Sequence, residues 1–207
     1  MEHVHHVEHP DMYDEESSKI GMWLFIFTEL LLFGGLFIIY SVYRYLNPDA
    51  FHLAAEELNR FIGSLNTVIL LISSMTIAMA TTALRKGQRK LAIALVVISF
   101  LIGFAFLVNK YFEWGVKFSH GIWPGSEHML NEMSQGEILF FGLYFVMTGL
   151  HALHIIIGMA IMVFAIRGLA NGKITVERPS LLDNAGLYWH LVDVIWIFLF
   201  PLFYLIH

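Results

Sequence analysis

Residues 20–40 read Ile-Gly-Met-Trp-Leu-Phe-Ile-Phe-Thr-Glu29-Leu-Leu-Leu-Phe-Gly34-Gly35-Leu-Phe-Ile-Ile-Tyr40, an apolar run with a single ionisable group. A helix rises about 1.5 Å per residue, so a run of this length crosses a hydrocarbon core of about 30 Å. A membrane-spanning strand would need only about 10 residues and would alternate polar with apolar, which this stretch does not. Four more such runs follow, at about 61–83, 91–111, 138–166 and 186–206. The predicted fold class is therefore an all-α integral membrane protein, a bundle of five transmembrane helices.

Composition agrees. Of 207 residues, 57% are hydrophobic and 14% charged, and the mean hydropathy is +0.67. A typical soluble domain has about 25% charged residues. Both a water-soluble domain and a disordered chain are excluded. The formal net charge of -5 offers no basic face to nucleic acid. With no cysteine, the chain has no disulfide, thiolate zinc site, iron–sulfur cluster or Cys-bridged copper centre.

Residues 1–19 are polar, with His3, His5, His6, His9 and a single cation at Lys19. The segment lacks the basic start and cleavage site of a signal peptide and is expected to be a cytoplasmic tail. Domain organisation thus reduces to this tail and a transmembrane domain over 20–207. Five spans put the two termini on opposite sides. Lys and Arg set the orientation. Lys19, the short 85–90 link (Arg85, Lys86, Arg89, Lys90) and the 167–178 link (Arg167, Lys173, Arg178) share one side. Only Arg44, Arg60, Lys110 and Lys117 share the other. The N-terminus is predicted inside and the C-terminus outside. Trp23, Tyr43, Tyr45, Trp114, Trp123 and Tyr204 fall near span ends, as interfacial anchors would.

The informative residues are the polar ones inside the spans, because an acid or base at a helix centre costs roughly 2.5–3.5 kcal/mol. Glu29 lies about 13 Å into the first span, close to mid-membrane, with nothing basic within a turn. It reads either as a neutral, hydrogen-bonded carboxyl at a helix contact or as a proton-handling group. The second span carries Asn66 and a Ser74/Ala78/Thr82 ladder of small residues, suited to close helix packing. At the end of the third, Lys110 and Glu113 share a face and can pair near the membrane interface. In the fourth, Thr148, His151, His154 and Gly158 form one stripe. Two histidines three apart hold a metal only as part of a larger ligand set, so hydrogen-bonded interhelical histidines are the expectation. In the fifth, His190 precedes Asp193 by three, and Trp189, Asp193 and Trp196 share a face. Asp193 is expected to bond His190 along the helix or to meet His151 or His154.

These stretches resemble one family. Gly21-Met-Trp-Leu-Phe-Ile-Phe-Thr-Glu29 with the following Phe-Gly-Gly, Leu65-Asn-Thr-Val-Ile-Leu-Leu-Ile-Ser-Ser-Met-Thr76 and Tyr111-Phe-Glu-Trp114 are similar in order and spacing to subunit III of haem–copper oxidases. So are Thr148-Gly-Leu-His-Ala-Leu-His-Ile-Ile-Ile-Gly158 and Tyr188-Trp-His-Leu-Val-Asp-Val-Ile-Trp196, the two most specific matches. The resemblance runs from about residue 18 to the C-terminus and points to the short, five-helix bacterial form. It implies a non-catalytic subunit without a redox centre, in a bacterial plasma membrane. Haem and copper would sit in partner subunits. The chain would pack on the catalytic subunit I, with subunit II and small subunits or a larger respiratory assembly beyond it. It would bind phospholipid between its helices and support proton uptake and sustained turnover. Glu29 then matches the family's buried carboxyl, and His151, His154, His190 and Asp193 its buried polar positions. Arg85, Lys86, Arg89 and Lys90 are candidates for lipid phosphates on the inner face. Lys110 departs from the family pattern, standing where many relatives have Gln, and the 120–135 segment is longer than in some.

The wording around Glu29 favours the cytochrome c oxidase type. Quinol oxidases and nitric-oxide-reductase-related complexes are the alternatives. Outside this family, the residues would suit a small proton-coupled transporter, or a haem anchor using His151 and His190. The odd number of spans and the lack of a repeat argue against the transporter.

Overall fold

The computed structural model describes residues 10–205, with side chains from Ser17 onward. The histidine-rich start of the chain, including His3, His5, His6 and His9, lies outside the described residues. Seven helices follow in order: α1 (Pro10–Leu46), α2 (Pro48–Glu56), α3 (Arg60–Arg85), α4 (Arg89–Ser119), α5 (Glu127–Glu132), α6 (Gln135–Ala170) and α7 (Ser180–Tyr204). Five of them, α1 from Ser17 and α3, α4, α6 and α7, are long and apolar enough to cross a membrane. They are the five predicted spans in the predicted order, each reaching past the apolar run at one end or both. The sequence at 41–60 and 112–137 reads as loops. The structure instead folds most of it into the ends of α1 and α4 and the short helices α2 and α5.

Local chemistry sets the boundaries. Asn59 caps α3, its side-chain oxygen accepting from the Phe61 and Ile62 amides. Ser134 and Glu137 close a reciprocal capping box on α6. Between α3 and α4 the chain reverses through Gly87 at φ 73, a conformation open chiefly to glycine.

Helices α3, α4, α6 and α7 form a closed bundle in which α3 packs on α4 and α7, and α6 on α4 and α7; α1 leans on α6 and α7 from outside. Two tryptophans of α7, Trp189 and Trp196, are fully buried at its centre. Gly103 of α4 and Gly158 of α6 admit Trp189. A Cβ at Gly103 or Gly158 would stand 2.6 Å or 2.9 Å from the indole, so a methyl at either position would force the ring to move.

The buried face of α3 differs from the small-residue ladder. Asn66, Leu70, Ser73, Ile77, Ala80 and Leu84 turn inward, whereas Ala78 and Thr82 are exposed and Ser74 is half-buried. In lipid the outward face need not be polar, so small residues alone do not mark the inward one. Tyr204 also departs from expectation. It is fully buried in the core rather than anchored at the interface, while Trp23, Tyr43, Tyr45 and Trp123 are exposed.

Candidate functional site

Besides the Ser73–Thr76–Ser99 hydroxyl cluster between α3 and α4, the buried polar side chains fall into three groups. At one end, where α4, α6 and α7 converge, Lys110 and Glu113 pair at 3.2 Å with both side chains buried. The Lys110 ammonium donates to Glu113 Oε2, to Tyr144 Oη at 3.2 Å and to Tyr204 Oη at 2.7 Å. Both phenols donate to Glu113 Oε1, at 2.6 Å and 2.5 Å. All three ammonium protons and both carboxylate oxygens are thereby used, as a buried pair requires to offset desolvation. Lys110 also faces the rings of Tyr144, Trp196 and Tyr204. A second buried cation, Lys117, donates to the Glu57 carbonyl at 3.4 Å and lies over Tyr144 and Phe141. The expected Lys110–Glu113 pair is present, but as the centre of a four-residue network inside the bundle rather than at its rim.

Midway along α1, Glu29 meets His154 of α6, with 2.9 Å between Oε2 and Nε2. The sequence places no base near Glu29 within its own helix, and the partner comes from another. The other ring nitrogen of His154, Nδ1, lies 2.7 Å from the Leu150 carbonyl. A carbonyl only accepts, so Nδ1 carries a proton. A hydrogen bond between Glu29 Oε2 and His154 Nε2 then needs a proton on one of the two atoms, as carboxylic acid to imidazole or as carboxylate to imidazolium. In both forms acid and base offset one another, which suits an apolar setting. Phe33 packs edge-on to the His154 ring, and Tyr188 donates to the His154 carbonyl at 3.2 Å.

The third group is dispersed. His151 is fully buried, stacked on Trp196 and edge-on to Phe106, and neither ring nitrogen has a hydrogen-bond partner among the described residues. Trp196 donates to Thr67 at 3.0 Å, and Asn109 donates to Asn66 at 2.9 Å. His190 bonds Ser74 of α3 at 2.7 Å. Asp193 is 3% exposed, and the polar side chain beside it is Ser74 of α3 rather than a histidine. The expected pairing of Asp193 with His190, His151 or His154 is therefore not formed. Each histidine is satisfied or enclosed elsewhere: His190 reaches sideways to α3, His154 is taken by Glu29, and His151 is sandwiched by rings.

The four cations of the α3–α4 link also separate. Arg85, in the last turn of α3, pairs with Asp183 in the first turn of α7 at 3.1 Å. Arg89 donates to the Leu169 carbonyl and, at 2.5 Å, to that of Ala170, capping the C-terminus of α6. Lys86 and Lys90 are exposed. Arg85 lines a cavity of about 330 Å³ that also reaches Lys19, Trp23 and His190 between α1, α3 and α7. Sequence reasoning missed Tyr144 and Tyr204 as partners of Glu113. Only a phenol count against a lone buried acid would have suggested them.

The family model for cytochrome c oxidase subunit III matches residues 2–207. The chain belongs to that family. Its curated relatives include cytochrome c oxidase subunit 3 of Thermostichus vulcanus, 30% identical over 100% of this chain and 92% of the relative. Quinol oxidase subunit 3 of Bacillus spizizenii is 30% identical over 99% of this chain and 97% of the relative. A haem–copper oxidase subunit I+III of Aeropyrum pernix is 27% identical over 94% of this chain, which covers 23% of that longer protein. Subunit III therefore belongs to haem–copper oxidase complexes and works with subunit I. The family that the sequence resembles is thus the family of the chain.

Proposed function

We propose that this subunit III serves a bacterial plasma-membrane terminal oxidase of the cytochrome c type, which reduces dioxygen and translocates protons. The family match across nearly the whole chain carries the reading, and the sequence around Glu29 favours the cytochrome c branch. A relative named quinol oxidase subunit 3 is equally similar, which keeps the quinol type as the second reading. The chain is oriented with its N-terminus inside, following the Lys and Arg bias.

In this reading the subunit holds no redox centre. Haem and copper reside in partner subunits, subunit II among them, with small subunits or a larger respiratory assembly beyond. The burial of His151 supports this, because both of its ring nitrogens are closed off by protein atoms. Subunit I docks on α1, whose outward face is apolar and whose Gly34 and Gly35 have open space beside them. Phospholipid enters the cavity beside Arg85, and the exposed Lys86 and Lys90 attract its phosphates. The single proton held between Glu29 and His154 gives the subunit a mid-membrane proton group.

The test is a mild-detergent pull-down of the chain from its own membranes, read by mass spectrometry and a visible spectrum. Haem absorbance with a copper-site Cys pair in subunit II supports the cytochrome c type. Haem absorbance with a subunit II lacking that pair turns the reading to quinol oxidase. A colourless chain recovered alone refutes the assembly. In the purified complex, Glu29→Ala should leave haem content intact and shorten activity during sustained turnover.

A further inference from the structure

The cavity beside Arg85, about 330 Å³ between α1, α3 and α7, has His190 in its wall. The Arg85–Asp183 pair lines it too, with Lys19 and Trp23 of α1. Nδ1 of His190 lies 2.7 Å from Ser74 Oγ of α3. The ring nitrogen left for the cavity is Nε2. Three residues further along α7, the Asp193 carboxyl stands beside the same Ser74 hydroxyl. Asp193 is buried, about 20 Å along α7 from Ser180. One hydroxyl thus stands between a ring that lines a polar cavity and an acid inside the bundle.

A hydroxyl carries one hydrogen and two lone pairs. Ser74 can accept from His190 Nδ1–H while donating to an Asp193 carboxylate. It can equally accept from an Asp193 carboxylic acid while donating to Nδ1. The two arrangements differ by one proton moved along the row, with no heavy atom displaced. Other charged groups stand at the ends of the row or are engaged elsewhere. Lys19 of α1, Arg85 of α3 and Asp183 are at the cavity. On the other faces of α7, Glu29 of α1 is bonded to His154 of α6, and His151 of α6 is stacked on Trp196. Lys110 and Glu113 of α4 meet α7 beyond Asp193, at Trp196 and Tyr204.

We propose that His190, Ser74 and Asp193 form a proton relay that carries protons from the cavity to a buried acid, apart from the Glu29–His154 pair. A hydronium ion in the cavity gives one proton to His190 Nε2 and is left as water. The Nδ1 proton passes to Ser74 Oγ as the Ser74 proton passes to the Asp193 carboxylate. Imidazole and hydroxyl end neutral, and the carboxylate ends as carboxylic acid. With the N-terminus inside, the cavity opens on the inner face, so the subunit stores a proton drawn from that side. That direction rests on the orientation proposed above; the relay itself does not.

Infrared difference spectroscopy of the intact purified oxidase tests this. A pH titration should show a carboxylic acid C=O band that Asp193→Asn removes and Asp193→Glu shifts. On transfer to D2O the band should move as its proton exchanges. Ser74→Ala and His190→Phe should each slow that exchange at least about tenfold, because a missing link raises the barrier. Ser74→Thr, which keeps the hydroxyl, should restore it, and Glu29→Gln should leave it unchanged. No Asp193 band at any pH, exchange at the wild-type rate in Ser74→Ala or His190→Phe, or equal slowing by Glu29→Gln would each overturn the relay. Ser74 and His190 are only half-buried, so their variants keep the fold. Haem content and copurifying subunits, the measure of the assembly reading, are scored separately.

Discussion

Helix α1 and the four-helix core are equally apolar and differently held. The most apolar stretch of α1 is 11% buried, against 56% for that of α7. The core is closed by tryptophans fitted against glycines and by the saturated Lys110–Glu113–Tyr144–Tyr204 network. By contrast α1 buries Ile26, Phe33 and Tyr40 and is tied to the bundle by side-chain bonds at Glu29, Tyr40 and, through Asn184, Ser18. In a membrane the lipid is as apolar as the core, so hydrophobicity does not decide which helix is inside. Close packing and polar ties decide it.

Removing a central tie of the core should break the contrast most visibly. Glu113→Ala leaves Lys110 buried without a carboxylate, at a cost of about 3–5 kcal/mol. Subunit III should then fail to accumulate, as measured by its recovery from membranes. Lys110→Gln with Glu113→Gln removes both charges together and should restore much of that recovery. Next is packing. Gly103→Ala drives a Cβ to 2.6 Å from Trp189 and should cost about 1–3 kcal/mol, read as a lower melting temperature of the purified complex. Smaller still, Glu29→Ala strands the His154 ring at a cost of about 1–2 kcal/mol. It should free α1 while leaving α3, α4, α6 and α7 packed, as shown by faster hydrogen exchange confined to α1. Equal exchange in α1 and α7 would erase the distinction. The least effect is expected at Gly34→Ala, whose new methyl meets nothing within 4 Å. The isolated chain should gain up to about 1 kcal/mol of helix stability. Reduced copurification of subunit I by the same change would sharpen the comparison, marking the α1 face as the docking face.

Much of this was legible beforehand, for identifiable reasons. Length and hydropathy suffice to find five spans, because a helix must cover a known thickness. Lys110 and Glu113 were paired correctly because spacing by three is a property of the helix itself. Glu29 was singled out by its intrinsic cost in lipid. Its partner was not legible, since His154 lies on α6 and only the packing of α1 against α6 brings the two rows together. The same holds for Asp193, where helical spacing nominated His190 and the fold sent that ring to Ser74 instead. The ladder on α3 failed because small residues occur on both faces of that helix.

What the sequence determined by itself was therefore whatever is written along one helix: the number and order of spans, the costly groups within them and the family to which they belong. The tertiary structure alone decided which faces turn inward, which phenols saturate Glu113, which histidine meets Glu29 and how loosely α1 is held. The reason is physical. Helix formation in lipid satisfies each backbone group locally, so it can be read locally. The partner of a buried side chain is set by packing between segments far apart in sequence, where apolar surface gives no preference and only shape and hydrogen bonding choose.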